Sequence, residues 1–223
     1  AGQALAGFGL TEPGAGSDAG ATKTKAELVD GEWVVNGAKQ FITNSGSEIT
    51  SVVAVTARTG TNGDKPEISA ILVPAGTPGF TAEKAYDKLG WHASDTHPLT
   101  FDGARVPEAN LLGERGRGYA QFLATLDDGR VAIAALAVGC IQACLEQCVQ
   151  YAGERTTFGV PIGRKQGVAF QIADLEVMLS ASRLLTYRAA AMKDAGAPVA
   201  EFKRAAAVAK LYAPESAVTA TGI

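Results

Sequence analysis

Along the first half of the chain, apolar residues come in short runs broken by Gly, Pro, Asn and Asp. The stretch from Ala26 to Thr43 reads AELVDGEWVVNGAKQFIT and carries two hairpin signals, Asp30-Gly31 and Asn36-Gly37. Both dipeptides tolerate positive φ at a tight turn, so the pattern predicts three strands: Ala26–Val29, Glu32–Val35 and Ala38–Thr43. Ser51–Ala57, Ile68–Val73, Thr81–Lys84 and Pro98–Phe101 are further strands by the same signals. Short strands at this spacing predict a small antiparallel barrel or sandwich. There is no βαβ alternation and no GxGxxG after a strand, which argues against a Rossmann fold.

The pattern changes near residue 115. Ile133, Leu136, Ala137, Cys140, Ile141, Cys144, Leu145, Cys148 and Val149 step by three and one, as on one face of a helix. A helix is expected over residues 118–154. FGVPIGRKQG then breaks the pattern, and a second helix is expected over residues 168–194, with Val168, Ile172, Leu175 and Leu179 on one face. AGAP at residues 195–198 ends it, and a third helix starts near Val199. Long helices with short breaks predict an antiparallel bundle. The fold class expected is α+β: a β-domain over residues 1–115, then a helical bundle over residues 116–223. Three helices leave a bundle short of a fourth partner, so a longer parent protein is expected.

Composition narrows the function. Nearly half the residues (47%) are apolar and 19% are charged, as in ordinary globular proteins. A net charge of −3 argues against nucleic-acid binding through a broad basic surface. No uninterrupted apolar run reaches about 18 residues, so no membrane span is expected. AGQALAGFGL has no cation ahead of its apolar residues and does not read as a signal peptide. Cys140, Cys144 and Cys148, at spacings of four, read as small apolar fillers on a buried stripe rather than a thiolate metal site. They fit a reducing compartment.

Several segments carry candidate chemistry. GFGLTEPGAGSD, Gly7 to Asp18, is either a surface turn or a backbone cradle for an anion, with Thr11 and Ser17 as hydroxyl donors. In QFITNSG, Phe41 and Thr43 share one side of a strand end and suit the flank of a planar ring. LDDGR places Asp127 and Asp128 near Arg130, and a partly buried Arg seeks a carboxylate or phosphate. GERTTFGVPIGRKQG concentrates Arg155, Arg164 and Lys165 at a helix break, as a dipole-complementing cap or a phosphate site.

Together and in this order, GFGLTEPGAGSD, FITNSG, RVPEANLLGERGRGY, LDDGR and ERTTFGVPIGRKQ closely resemble the acyl-CoA dehydrogenase family. The resemblance covers essentially the whole chain, from the start of the family's middle β-domain into its C-terminal helical domain. It implies FAD as cofactor, an acyl-CoA substrate oxidised to the trans-2-enoyl-CoA, and reoxidation by an electron-transfer flavoprotein. It places Phe8, Leu10, Thr11, Gly16 and Ser17 along the flavin and its pyrophosphate, with Ser17 also near CoA. Phe41, Ile42 and Thr43 match a segment often written Trp-Ile-Thr, with Phe41 over one flavin face and Thr43 near N5. Asp127 and Arg130 match contacts around substrate and catalytic base. Arg155, Thr157, Phe158 and Gln166 match a segment that reaches the ADP half of FAD across a subunit interface, which implies a homo-oligomer, a dimer of dimers.

Gly129 stands where some branches carry the catalytic glutamate; in others the glutamate lies further downstream than Ile223, so no base is assigned. The chain by itself is expected to be inactive and to retain FAD weakly. The family alternatives are a flavoprotein oxidase on the same scaffold and a silent FAD- or CoA-binding subunit. A cytoplasmic location is expected for a bacterial protein, and the mitochondrial matrix for a eukaryotic one.

Overall fold

The computed structural model describes residues 2–223, in two compact units that divide between Leu123 and Ala124. The first unit holds β1 (Leu5–Gly9), β2 (Lys25–Val29), β3 (Glu32–Thr43), β4 (Thr50–Asn62), β5 (Lys65–Pro74), β6 (Phe80–Ala82) and β7 (Thr96–Pro107). They form one curled sheet in the order β1-β4-β2-β3-β7-β6, with β5 also pairing β4. Alternate residues point to a core of Trp33, Val35, Ile42, Val53, Val55, Ile71, Val73, Leu99, Phe101 and Val106.

Asp30-Gly31 is the expected hairpin turn, with φ of 53° and 80° between β2 and β3. Asn36-Gly37 is not a turn, which corrects the second hairpin signal. β3 runs through it as a single strand, with a bulge between Val35 and Gly37 opposite β7. Gly37 has φ of 145°, and a Cβ there would lie 2.6 Å from Thr24 Oγ1. The glycine therefore serves close strand approach, while Asn36 Oδ1 accepts a hydrogen bond from Gly103 N at 2.8 Å.

β1 was not expected, because its glycines read as part of a turn. They sit instead where β1 pairs in parallel with β4, and a Cβ on Gly9 would come within 2.9 Å of Val55 Cγ1. Tyr119 and Phe122 join Phe8, Leu10, Ala19 and Ala70 in a second small core, so the start of the first helix is held in the β-unit.

That helix is α1 (Gly118–Glu154). The second unit continues it and adds α2 (Gln166–Asp194) and α3 (Val199–Ala220). Between α1 and α2 lies a small hairpin, β8 (Thr156–Thr157) with β9 (Val160–Pro161). Arg183 Nη2 donates to Gln142 Oε1 at 2.6 Å, and Lys193 pairs with Asp128 at 2.9 Å. As residue numbers fall along α1 they rise along α2, so the two run antiparallel. The α+β class expected from the pattern therefore holds.

The buried stripe of α1 differs from the one expected. Ala137 and Ile141 are buried as expected and Leu145 packs against the same core, but Ile133, Leu136 and Val149 are exposed and Ala134 is buried instead. Facing alanines on α2 and α3 (Ala189, Ala209, Ala213) fill the same core, so small side chains bring the helices together. Cys140, Cys144 and Cys148 pack against this core, and burial, with the neighbouring thiols, raises the Cys144 thiol above its ordinary value. By length and composition α1 also qualifies as a membrane-crossing helix, with a window of mean hydropathy 1.7. The interruptions that argued against a span are thus few.

Candidate functional site

The loop after β1 and the end of β3 are tied together by a buried polar cluster. Glu12 lies inside the loop, and its carboxylate accepts hydrogen bonds from Thr22 Oγ1, from Lys23 N at 2.6 Å and from Thr24 N at 3.1 Å. Lys39 points inward from β3 with a side-chain exposure of 0%. Its ammonium donates to Glu12 Oε1 at 2.8 Å, Thr56 Oγ1 at 3.0 Å, and Leu10 O and Thr22 Oγ1 at 3.3 Å. Next to it, Gln40 N donates to Thr11 O at 2.8 Å. The backbones of Leu10–Glu12 and Lys39–Gln40 are thereby fixed to each other.

Burial alone would raise the Glu12 carboxyl, but the hydrogen bond and charge of Lys39, with Thr22 and the Lys23 amide, bring it down to about 2. Burial lowers the Lys39 ammonium to about 8 against the pull of Glu12. Unfolded, Glu12 takes up its proton near 4.5. The stability it contributes is therefore present above about 4.5 and fades as pH falls towards about 2. Urea unfolding midpoints across that range are expected to fall in the parent, and to fall less steeply in Glu12→Gln.

This frame sets the position of the residues read as flavin contacts. Leu10 and Ile42 are buried, so their side chains belong to the core. Phe8 stacks on Phe122 with centroids 4.0 Å apart, so its ring is likewise occupied within the fold. Thr11 is half-buried, and Gly16, Ser17 and Thr43 are exposed. A Cβ on Gly16 would meet nothing within 4 Å, which leaves the loop backbone open to a ligand.

Phe41 is 58% exposed and has φ of 61° at a second bulge in β3. A bulky residue in the left-handed region is an outlier. The bulge turns its ring to the surface, tilted against Tyr86 at 5.0 Å. Phe41→Gly relieves this conformation, and is expected to raise the urea midpoint by the equivalent of about 1 kcal/mol.

Just beyond Thr43, Asp95 clamps the turn. Its carboxylate accepts from Asn44 N at 3.2 Å and Gly46 N at 3.1 Å, and lies 3.3 Å from His97 Nε2. Glu12, Lys39, Asp95 and His97 were missed as site residues. Lys39 left a signal: it is a lone cation in an apolar alternation.

In the helical unit, Asp127 and Arg130 do come together, one helical turn apart. Asp127 is buried and also pairs with Lys203 at 3.2 Å, which ties α1 to α3. Asp127 and Asp128 both lie well inside α1, which begins at Gly118, too far from its first turn to complement the helix dipole. Arg155, Thr157, Phe158 and Gln166 cluster around the β8–β9 hairpin and the start of α2. Phe158 and Gly159, with φ of 55° and 78°, make its two-residue turn. Phe158 is 95% exposed, with Lys165 Nζ 4.9 Å from its ring.

The chain matches the model of the acyl-CoA dehydrogenase middle domain over residues 7–104 and that of the acyl-CoA dehydrogenase C-terminal domain over residues 116–223. It is 49% identical over 220 residues to a probable acyl-CoA dehydrogenase of Bacillus subtilis (strain 168), covering 98% of this chain and 57% of that protein. The structure of butyryl-CoA dehydrogenase from Megasphaera elsdenii superposes with a TM-score of 0.91 at 40% identity, over 98% of this chain and 56% of that one. PigA, solved with FAD and proline, superposes with a TM-score of 0.89 at 32% identity, over 98% and 56%. The chain thus spans little more than half the length of these relatives. With both halves matched to successive domains of one family, the chain belongs to the acyl-CoA dehydrogenase family.

Proposed function

We propose that this chain forms the flavin- and substrate-facing part of an FAD-dependent acyl-CoA dehydrogenase that oxidises short acyl-CoA thioesters to trans-2-enoyl-CoA. The observation that carries this reading is the exposed, left-handed Phe41, held beside the Thr11 loop by Lys39 and Gln40. Strained, exposed aromatics of this kind occur at ligand sites, and butyryl-CoA dehydrogenase shares the fold.

The residues present fit a flavin. Phe41 offers a ring face, Thr11 and Thr43 offer hydroxyls, and the open backbone around Gly16 with Ser17 suits a pyrophosphate. When bound, FAD supplies a two-electron acceptor for the hydride from the β-carbon. The α-proton is too weakly acidic for a carboxylate unless the thioester oxygen is polarised and water is excluded. In this reading Arg130, neutralised by Asp127, has the role of ordering the substrate side, and no residue of this chain is assigned as base.

Arg155, Thr157, Phe158 and Gln166 form the arm that reaches the ADP half of FAD in a second copy; an aromatic exposed at the tip of a hairpin suits that role. The assembly is a dimer of dimers, and an electron-transfer flavoprotein takes the electrons.

The test is a panel of acyl-CoA thioesters of increasing chain length, with an artificial electron acceptor, on the intact protein. Highest kcat/KM at four to six carbons is expected, and no turnover with any thioester contradicts the reading. Phe41→Gly, though more stable, is expected to bind FAD about tenfold more weakly, which corresponds to one lost stacking contact. Flavin fluorescence titration measures it.

A further inference from the structure

We infer that Glu12 and Lys39 are positioning residues for the cofactor, acting through the backbone of Leu10 and Thr11; this rests on the functional reading above. Three observations carry it. First, the pair is buried, with side-chain exposures of 0% for Lys39 and 4% for Glu12, so solvent does not share its hydrogen bonds. Second, its partners come from separate segments. The loop gives Leu10 O and Glu12, the entry to β2 gives Thr22 Oγ1 with the amides of Lys23 and Thr24, and β4 gives Thr56 Oγ1. Third, on each segment the tie lies next to a residue that presents itself outward: Thr11 adjoins both Leu10 and Glu12, and Phe41 lies two residues beyond Lys39.

Stability does not account for the pair. A buried ion pair replaced by apolar side chains of similar volume is often as stable or more so, and burial already pushes the Lys39 ammonium down to about 8. What an apolar pair cannot supply is direction. Leu would pack with Met in many arrangements, whereas an ammonium shared among a carboxylate, a carbonyl and two hydroxyls fixes the loop in one. Among the described residues, the Glu12 carboxylate pairs with no charged side chain other than Lys39, and Lys39 with none other than Glu12.

The experiment compares the parent holoprotein with Glu12→Leu/Lys39→Met and with Glu12→Gln. It reads urea stability, amide hydrogen exchange at Gln40 without FAD, the dissociation constant for added FAD, and the visible spectrum of the bound flavin. The double variant is expected to fold, to exchange the Gln40 amide at least tenfold faster, to bind FAD at least tenfold more weakly and to shift the flavin band. Glu12→Gln keeps acceptor and shape, and is expected to restore part of the FAD affinity. A folded double variant with the parent's FAD affinity and spectrum overturns the inference and leaves the pair a structural element. An unchanged Gln40 exchange rate does the same. A parent that binds no FAD overturns the functional reading, and in that case the Gln40 exchange still decides whether the pair fixes the loop.

Discussion

Lys39→Met alone is expected to destabilise the β-unit by about 3–5 kcal/mol, because removing one partner leaves the other charge buried. Glu12 would keep the bonds from Thr22 and from the Lys23 and Thr24 amides, but no cation would balance it. Protonation offers the only relief, and its carboxyl should move from about 2 to above its ordinary 4.5. Two readouts check this. Urea unfolding should show the loss at neutral pH, and the loss should shrink as pH falls and the carboxyl is neutralised. The sign is opposite to the parent's acid response, where the same carboxylate stabilises the fold only while ionised. A Lys39→Met variant as stable as the parent at neutral pH would mean that the pair is open to water.

Gly118→Ala is the second change with a large expected effect. Gly118 begins α1, where the helix passes over β5. A Cβ there would lie 2.2 Å from the Ser69 carbonyl carbon and 2.3 Å from Ala70 N. Those atoms are β5 backbone, with Ser69 and Ala70 both buried, so no side chain can swing aside. Relief requires the helix start to move away, which pulls Tyr119 and Phe122 off the small core they share with Phe8 and Leu10. Overpacking of this kind costs about 3 kcal/mol. Alanine is otherwise the better helix former, by about 1 kcal/mol, so propensity and packing predict opposite signs. A lowered thermal midpoint shows that packing wins, and a raised one that the helix start is loosely held. Because Phe8 stacks on Phe122, the variant should also loosen the strand that leads into the Thr11 loop.

Much of this was legible in the sequence. The Asp30-Gly31 turn, most strands and the three helices follow from period and punctuation. What was not legible shares one physical cause: a glycine reads as a turn whether it permits positive φ in a loop or close approach in a sheet. Gly9 and Gly37 do the second, so β1 was missed and β3 was cut in two. The α1 stripe held at Ala137 and Ile141 and failed at Ile133, Leu136 and Val149. Those large apolar residues read as core, but α1 buries Ala134 and Ala137 beside Ile141 and turns Ile133 and Leu136 outward. Of the site, the segments were found but not their support. Glu12 lay within the quoted loop and Lys39 beside the quoted strand end, yet nothing local shows that residues 27 positions apart form one ion pair.

Anaerobic addition of butyryl-CoA to the FAD-loaded intact protein tests in one mixing step the proposal that this fold presents a flavin to a short acyl thioester. Bleaching of the visible flavin band, reversed by an electron acceptor, is the result expected. A flavin that stays bound and oxidised with butyryl-CoA and its longer and shorter homologues would contradict it.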